Sequence, residues 1–281
     1  MASGFLASLL RVDRAGEGEF TARLHDFEGV SFGGDALGRI ALAAAQTAGD
    51  RRLHALHASF LRPVPPGVAV TIRVESLGEG RTLARRRVAI EHERRLLCHA
   101  TASFAVAAAV GPRWQEVEAP RVPAPETLPP DTEVAREEGW TWDLEHEEFA
   151  WGFVERPWRA WERGEPASDS RWCTWMKPRD PLPDDPHVHA AALAYVSDLL
   201  SHWSTCRRLG RDHGPGFYVS LDHALHVHRP TAWHDWWLLE SRSEVAHDGR
   251  ALWQRRIFTR DGALIASIQQ EGLIREPSSP A

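Results

Sequence analysis

Residues 190 to 206 have the sequence AAALAYVSDLLSHWSTC, and this segment predicts the centre of the fold. As a helix it is apolar on nearly every side, which is typical of a helix buried all round. Asp198 lies in its middle. Because an unpaired charge away from water is costly, this carboxylate needs a partner. Either Asp198 is a structural residue that faces solvent or a nearby His or Arg, or it is a catalytic carboxylate on a rigid helix.

A second helix of the same character is predicted near the start of the chain. The segment from Phe32 has the sequence FGGDALGRIALAAAQTAG, with glycines at its entrance and Gly49 as its stop. We therefore expect buried helices at roughly Gly33 to Ala48 and His189 to Cys206. After each helix, apolar and polar residues alternate, as in VAVTIRVES at 68 to 76 and ALIASIQQEGL at 263 to 273. This alternation predicts strands, which tight turns would join into antiparallel pairs.

The two halves of the chain repeat one another in order and composition. VESLGEGRTLARRRVAI at 74 to 90 corresponds to SRSEVAHDGRALWQRRI at 241 to 257, and FLRP in the first half corresponds to VHRP in the second. A two-copy repeat explains this. We predict an α+β fold in which two antiparallel sheets each wrap around a buried helix and pair edge to edge. The expected units are residues 1–110 and 146–281, with a proline-rich linker at 111–145.

Composition excludes several classes of function. The 281 residues carry a formal net charge of −6, and the most basic run, RTLARRRV at 81 to 88, alternates as on a solvated sheet face. Nucleic-acid binding is therefore not expected. There is no run of about 18 apolar residues for a membrane span and no signal-peptide pattern in residues 1 to 12. The three cysteines are far apart in sequence, which favours a reducing compartment. We predict a cytoplasmic protein that does not bind membranes.

Longer motifs resemble those of one enzyme family. They are FGGDALGRIALAAA and SFLRP in the first half, with LAYVSDL at 193 to 199, SLDHALHVHRP at 220 to 230 and RDGALIASIQQEGLIR at 260 to 275 in the second. Together they resemble the acyl-CoA thioesterase II family, whose chains carry two hotdog units in tandem. The resemblance implies a double hotdog fold, a role in fatty acid metabolism and hydrolysis of acyl-CoA to a free acid and CoA. It implies no cofactor, and it implies a homo-oligomer, either a dimer or a higher assembly.

The resemblance also assigns a catalytic set. Position by position, it implies that Asp198, Ser220 and Gln270 orient and activate a water molecule, with Ser220 at a position where threonine is also familiar in the family. By analogy, backbone N–H groups of Gly33 and Gly34 are candidates for stabilising the oxyanion. Alternation along the last strand independently predicts that Gln270 points inward. The same rule leaves the direction of Ser220 open, since a bulge or strand end is needed to decide it.

Other interpretations stay open at this point. The histidine cluster His223, His226, His228 and His234 invites a metal site, although no complete ligand signature is present, and we therefore expect no metal. The segment DDPHVH at 184 to 189 partly resembles the active-site motif of hotdog enoyl-CoA hydratases. A third alternative is a non-catalytic homologue that binds acyl-CoA. The Trp-rich region 140–175 is assigned no role, and the first half lacks a matching catalytic set, so one site per chain is expected.

Overall fold

The computed structural model describes residues 6, 10–27, 30–64, 67–108, 111–138, 148–156, 163–210, 218–230 and 232–275. Helices within these residues are α1 (Gly33–Ala45), α2 (Asp131–Glu138), α3 (Pro186–Asp198) and α4 (Trp203–Leu209), with a 3-10 helix at Pro125–Thr127. The strands are β1 (Asp13–Gly16), β2 (Glu19–Arg23), β3 (Asp26–Phe27), β4 (Val30–Ser31), β5 (Arg52–Phe60), β6 (Ala69–Glu79), β7 (Leu83–His92), β8 (Arg95–Ala105), β9 (Phe149–Phe153), β10 (Trp172–Pro178), β11 (Tyr218–Ser220), β12 (Asp222–Val227), β13 (Trp237–His247), β14 (Arg250–Thr259) and β15 (Leu264–Ile274). None of the described helices is both long and apolar enough to cross a membrane.

A 13-stranded antiparallel sheet runs through both halves of the chain. Its order is β1-β2-β6-β7-β8-β5-β12-β15-β14-β13-β10-β9, and β11 pairs with β15 beside this path. The halves join where β5 pairs with β12, with Ala58 opposite His223. The predicted edge-to-edge pairing and the α+β double hotdog class are thereby confirmed.

Alternation along the strands separates an inner from an outer face. Val70, Ile72 and Val74 of β6 are buried, as the pattern in the sequence predicts. In β14 the inward row consists of Ala251, Trp253, Arg255 and Ile257, all buried, so an arginine occupies a place in that row. The inner face of the sheet covers the central helices α1 and α3.

Helices α1 and α3 pack directly against each other in antiparallel directions. Glycines of α1 make the close approach possible, because a methyl group on Gly34 would lie 2.3 Å from the carbonyl oxygen of Tyr195. One turn further on, a methyl group on Gly38 would lie 3.1 Å from the carbonyl oxygen of Ala191. This packing brings the start of α1 next to the end of α3.

The second central helix is shorter than predicted. A continuous helix to Cys206 with Asp198 in its middle is wrong, because α3 ends at Asp198. Leu199 is extended (φ −65°, ψ 127°) and Leu200 has a φ of 57°, before α4 begins at Trp203. The guanidinium of Arg255 donates hydrogen bonds to the carbonyl oxygens of Val196 and Leu199 at this break. Asp198 is therefore the last residue of its helix.

The region predicted as a linker is only partly described. Within 111–145 the chain forms the 3-10 helix at Pro125–Thr127 and helix α2, while residues 139–145 lie outside the described part. Asp131 at the start of α2 accepts a hydrogen bond from the N–H of Trp151 in β9 at 2.9 Å. Part of the 111–145 region thus packs on the second half, and the exact unit boundaries stay a prediction.

Candidate active site

Asp198 lies where the two central helices meet. It is the last residue of α3 and only 6% of its surface is exposed. The backbone N–H of Gly34, near the start of α1, hydrogen-bonds its carboxylate. A methyl group on Gly33 would lie 2.6 Å from Oδ2 of Asp198. The carboxylate therefore faces the glycines of the other half, at a place where any side chain would displace it.

Gln270 connects the carboxylate to Ser220. It points inward from β15 and is 1% exposed, as alternation predicts. Its Nε2 donates to Oδ1 of Asp198 at 2.6 Å and to Oγ of Ser220 at 2.7 Å. The structure thus brings together the three residues that the resemblance assigned.

A break between two short strands sets the direction of Ser220. Ser220 ends β11, which pairs with β15 opposite Gly272, and β12 begins at Asp222. Between them, Leu221 donates its N–H to Glu271 and accepts at its carbonyl from the N–H of Phe60. Because the strand is interrupted here, Ser220 and the buried His223 both approach Gln270 while Asp222 is exposed.

The surroundings of Asp198 raise its pKa above the ordinary value of a carboxyl group. Removal from water is the main cause. The hydrogen bond from Gln270, the positive charge of Arg255 and the N–H of Gly34 act in the opposite direction. A carboxylate balanced in this way can remain ionised and still be a stronger base than one in water.

Arg255 is a residue of the site that the sequence analysis missed. Its Nη1 donates to the carbonyl oxygens of Val196 at 3.1 Å and Leu199 at 2.5 Å, and its Nε donates to Ser241 at 2.8 Å. Burial lowers its pKa to about 10, so the side chain keeps its charge at neutral pH. The guanidinium therefore caps the negative end of the helix that carries Asp198.

The first half of the chain has the same capping arginine. Arg86 lies opposite Ala102 of β8 as Arg255 lies opposite Ile268 of β15. Its Nη2 and Nε donate to the carbonyl and hydroxyl oxygens of Thr47, just after α1, at 2.5 and 2.9 Å. A signal was present in the sequence, since ARRRVAI and WQRRI each place an arginine in the inward row. Each copy of the repeat thus has an arginine that caps the end of its central helix. Only in the second copy does that helix end in a carboxylate.

The predicted histidine cluster is divided between the two faces of the sheet. His223 is buried, whereas the exposed ring of His226 lies 5.2 Å from that of His57 and Nε2 of His228 lies 2.9 Å from Oγ of Ser267. His234 lies near His189, with ring centroids 5.0 Å apart. Among the residues that the structure describes, no three His, Cys, Asp or Glu side chains are grouped as a metal would require.

The hydratase-like segment lies at the other end of α3. Asp185 is the N-cap of this helix, where its carboxylate accepts from the N–H of His187 at 2.8 Å. Asp198 is the thirteenth residue of this helix, so the two ends are about 20 Å apart. The segment is therefore a helix start, and its side chains do not join Asp198.

The corresponding place in the first half is apolar. The segment HALH occurs at 54 to 57 and again at 223 to 226. Its Leu56 pairs with Ala102 as its Leu225 pairs with Ile268, so Phe104, two residues further on, stands where Gln270 stands in the second copy. Leu53 lies opposite Phe104, and both are buried. At these positions the first copy has core side chains in place of the hydrogen-bonding groups.

Both halves of the chain match family models. Residues 21–105 match the acyl-CoA thioesterase N-terminal domain, and residues 125–274 match the acyl-CoA thioesterase C-terminal domain. Acyl-CoA thioesterase 2 of Haemophilus influenzae is 33% identical over 258 residues, which cover 87% of this chain and 87% of that protein. Human acyl-coenzyme A thioesterase 8 is 28% identical over 263 residues, covering 87% and 80%. The crystal structure of an acyl-CoA thioesterase II from Mycobacterium marinum has a TM-score of 0.77 at 28% identity, covering 97% of this chain and 99% of that one.

Proposed function

This chain belongs to the acyl-CoA thioesterase II family and is a thioester hydrolase, and we propose that Asp198, Ser220 and Gln270 carry out its chemistry on a single water molecule. The observation that supports this proposal is the convergence of the three side chains, with Nε2 of Gln270 within 2.7 Å of both Asp198 and Ser220. The substrate is a fatty or related acyl-CoA. We assign one such site to each chain.

Asp198 is the general base in this mechanism. It takes a proton from the water as the water oxygen bonds to the thioester carbonyl carbon, and the carbonyl π electrons move to the oxygen. When the carbonyl re-forms, the carbon–sulfur bond breaks and CoA leaves as a thiolate. The proton held by Asp198 passes to that sulfur, which restores the carboxylate and completes the hydrolysis.

Gln270 and Ser220 have different tasks. Gln270 directs its Nε2 to both Asp198 and Ser220, so it sets the spacing of the two groups that hold the water. Because the Ser220 oxygen accepts from Gln270, its own proton is left to donate. The Ser220 hydroxyl can therefore aim the water at the carbonyl without competing as a base.

The glycines at the start of α1 divide two tasks between them. The N–H of Gly34 hydrogen-bonds Asp198 and so holds the base. The N–H of Gly33 is then the candidate donor to the oxyanion, at the positive end of a helix. Lack of a side chain at Gly33 also keeps Oδ2 of Asp198 accessible, since a methyl there would lie 2.6 Å from it.

Direct attack by water also agrees with the state of the cysteines. Cys98, Cys173 and Cys206 are all buried. Burial raises the pKa of the Cys98 thiol to about 12 and that of Cys173 to about 11, so neither supplies a thiolate at neutral pH. The expectations of a cytoplasmic location and of a homo-oligomer rest on the sequence and the family resemblance, and they stay predictions.

The test compares Asp198→Asn with the control Asp222→Asn, an exposed carboxylate on β12. Release of free CoA thiol from acyl-CoA should fall by ~10²-fold or more in Asp198→Asn, with KM little changed, because the proton acceptor is gone. The control should keep the parental rate. Parental turnover in Asp198→Asn would contradict the proposal.

The same preparation tests stability. Since burial raises the pKa of Asp198, its contribution to stability is greatest below the unfolded-state pKa and is lost as pH rises through the folded-state value. At neutral pH the ionised carboxylate is buried at a cost in free energy that an uncharged asparagine does not have. Asp198→Asn should therefore melt no lower than the parent at neutral pH. A large drop in Tm with unchanged turnover would instead identify Asp198 as a structural partner.

A further inference from the structure

His223 is a buried polar residue next to the site that the proposed mechanism does not use. It is 1% exposed and points inward from β12. Its Nδ1 lies 3.3 Å from Oε1 of Gln270, and its Nε2 lies 2.8 Å from Oγ of Ser197. The ring thus contacts both the amide of Gln270 and the residue that precedes Asp198 on α3.

The hydrogens in this arrangement can be assigned from the carboxylate outward. An ionised carboxylate only accepts, so Gln270 must present its NH₂ group to Asp198. Its Oε1 then faces His223, and this contact requires a hydrogen on Nδ1. A neutral ring has only one N–H, so Nε2 accepts from Ser197. The Ser197 hydroxyl also donates to the carbonyl oxygen of Ala194 at 2.7 Å, so its single hydrogen is shared between that oxygen and Nε2 in a three-centre hydrogen bond.

We propose that His223 is a positioning residue that fixes the amide of Gln270 with its NH₂ toward Asp198 and Ser220. This inference rests on the proposed function. Rotated by 180°, the amide would place its oxygen against the carboxylate, so Asp198 would lose its donor, and Ser220 could bond the amide only by giving up the hydroxyl hydrogen that the water needs. His223 prevents that rotation because its Nδ1–H needs an acceptor. It does not touch the substrate or the water.

The surroundings of the ring suit this role. Burial lowers the pKa of His223 to about 3, so it stays neutral wherever the enzyme would be assayed. The hydrogen-bonded series Ser197, His223, Gln270 and Asp198 starts and ends at neighbouring residues of α3. Closing the series on one helix end fixes the ring and the amide together.

The first half shows that the fold does not need this pair. There His54 of the segment HALH at 54 to 57 corresponds to His223 of HALH at 223 to 226, but the strand register shifts at His54, so Leu53 lies opposite Phe104 and both are buried in the core. An apolar pair therefore satisfies the packing of the repeat. The hydrogen-bonded pair of His223 and Gln270 in the second half is explained by what it does for Asp198 and Ser220.

Two variants of similar size separate positioning from packing. In His223→Asn the side-chain NH₂ replaces the Nδ1–H donor, whereas in His223→Leu no donor remains. We expect kcat of His223→Leu to fall by about 10-fold or more, with KM within a few-fold of the parent, and kcat of His223→Asn to recover most of that loss. Equal kcat values in the two variants, whether parental or reduced, would overturn the proposal.

A double variant connects the effect to Gln270. In a Gln270→Ala background, His223→Leu should cause no further loss of kcat, because no amide remains to be oriented. Additive losses would contradict the proposal. The failure of the proposed function is distinguishable, since it would appear as parental turnover in Gln270→Ala itself, independently of His223.

The tautomer of His223 in the parent protein provides a third test. In ¹⁵N-histidine-labelled enzyme, long-range ¹⁵N–¹H correlations identify the tautomer of each neutral ring, and His223→Asn identifies the signal that belongs to His223. We expect the Nδ1–H tautomer, unchanged from neutral pH to about pH 5. The Nε2–H tautomer would mean that Gln270 turns its NH₂ group to the histidine, and it would overturn the proposal.

Discussion

Adding a single methyl group at Gly33 should impair catalysis while leaving the fold intact. In Gly33→Ala the new Cβ would lie 2.6 Å from Oδ2 of Asp198 and 3.3 Å from Cζ of Phe60. Ordinary contact begins at 3.4 Å, so the carboxylate oxygen must retreat by several tenths of an ångström or more. The other carboxylate oxygen, Oδ1, accepts a hydrogen bond of only 2.6 Å from Gln270, and this bond is distorted when the carboxylate moves.

The size of the effect follows from this displacement. A misplacement of about 1 Å at reacting groups can cost ~10²-fold in rate, so we expect kcat to fall by roughly 10- to 100-fold. Stability should stay near the parental value, because only one side-chain carboxylate has to move and alanine forms helix more readily than glycine.

Two other glycines provide controls for the same chemical change. In Gly34→Ala the methyl would lie 2.3 Å from the backbone oxygen of Tyr195, so the two helices must separate. We expect kcat to fall and the free energy of unfolding to decrease by about 1–3 kcal/mol. In Gly78→Ala the methyl meets nothing within 4 Å, and both should be parental. Thiol-release kinetics and thermal melts on the three variants decide the matter. Parental kcat in Gly33→Ala would refute the placement of Asp198 against this glycine.

Three further outcomes are expected. Arg255→Met and Arg86→Met should each lower Tm by an amount equivalent to roughly 2 kcal/mol, because helix-end carbonyls lose their donor. Only Arg255→Met should also lower kcat. Equal effects of the two variants on kcat would contradict the role of Arg255 at the site. The kcat/KM profile from about pH 4 to 9 should fall on the acid side with an apparent pKa above that of a free aspartate, because burial raises the pKa of Asp198 and only its ionised form accepts a proton; His223, with a pKa of about 3, should add no step near neutrality. Exhaustive dialysis against a chelator should leave activity unchanged, and a loss restored only by a divalent ion would be the contrary result.

The sequence predicted those features that depend on local periodicity. Alternation along β6 and β15 predicted the inner face of the sheet and the inward direction of Gln270. The break after Asp198 was not predictable in this way, since Leu199 and Leu200 continue the apolar pattern of α3 and neither Gly nor Pro marks the turn. What satisfies the break is Arg255, which is distant in sequence and reaches it only through the folded sheet.

The direction of Ser220 was undecided for a similar reason. Its strand is interrupted at Leu221 because the backbone there bonds two different strands, through the carbonyl of Glu271 and the N–H of Phe60. No local pattern encodes such a division. The same interruption turns His223 inward, while the neighbouring His226 remains exposed, so a cluster that appears uniform in sequence has two separate environments.

Recovery of activity during refolding can report the joining of the two halves, which meet where β5 pairs with β12. The residues paired there, such as Ala58 and His223, are far apart in the chain, and bringing them together costs more loop-closure entropy than forming the hairpins on either side. The site needs Gly33 and Gly34 of the first half beside Asp198 of the second. A half that folded by itself would lack part of the site, so the return of thioesterase activity during refolding marks the docking of the two halves and not the formation of secondary structure in either.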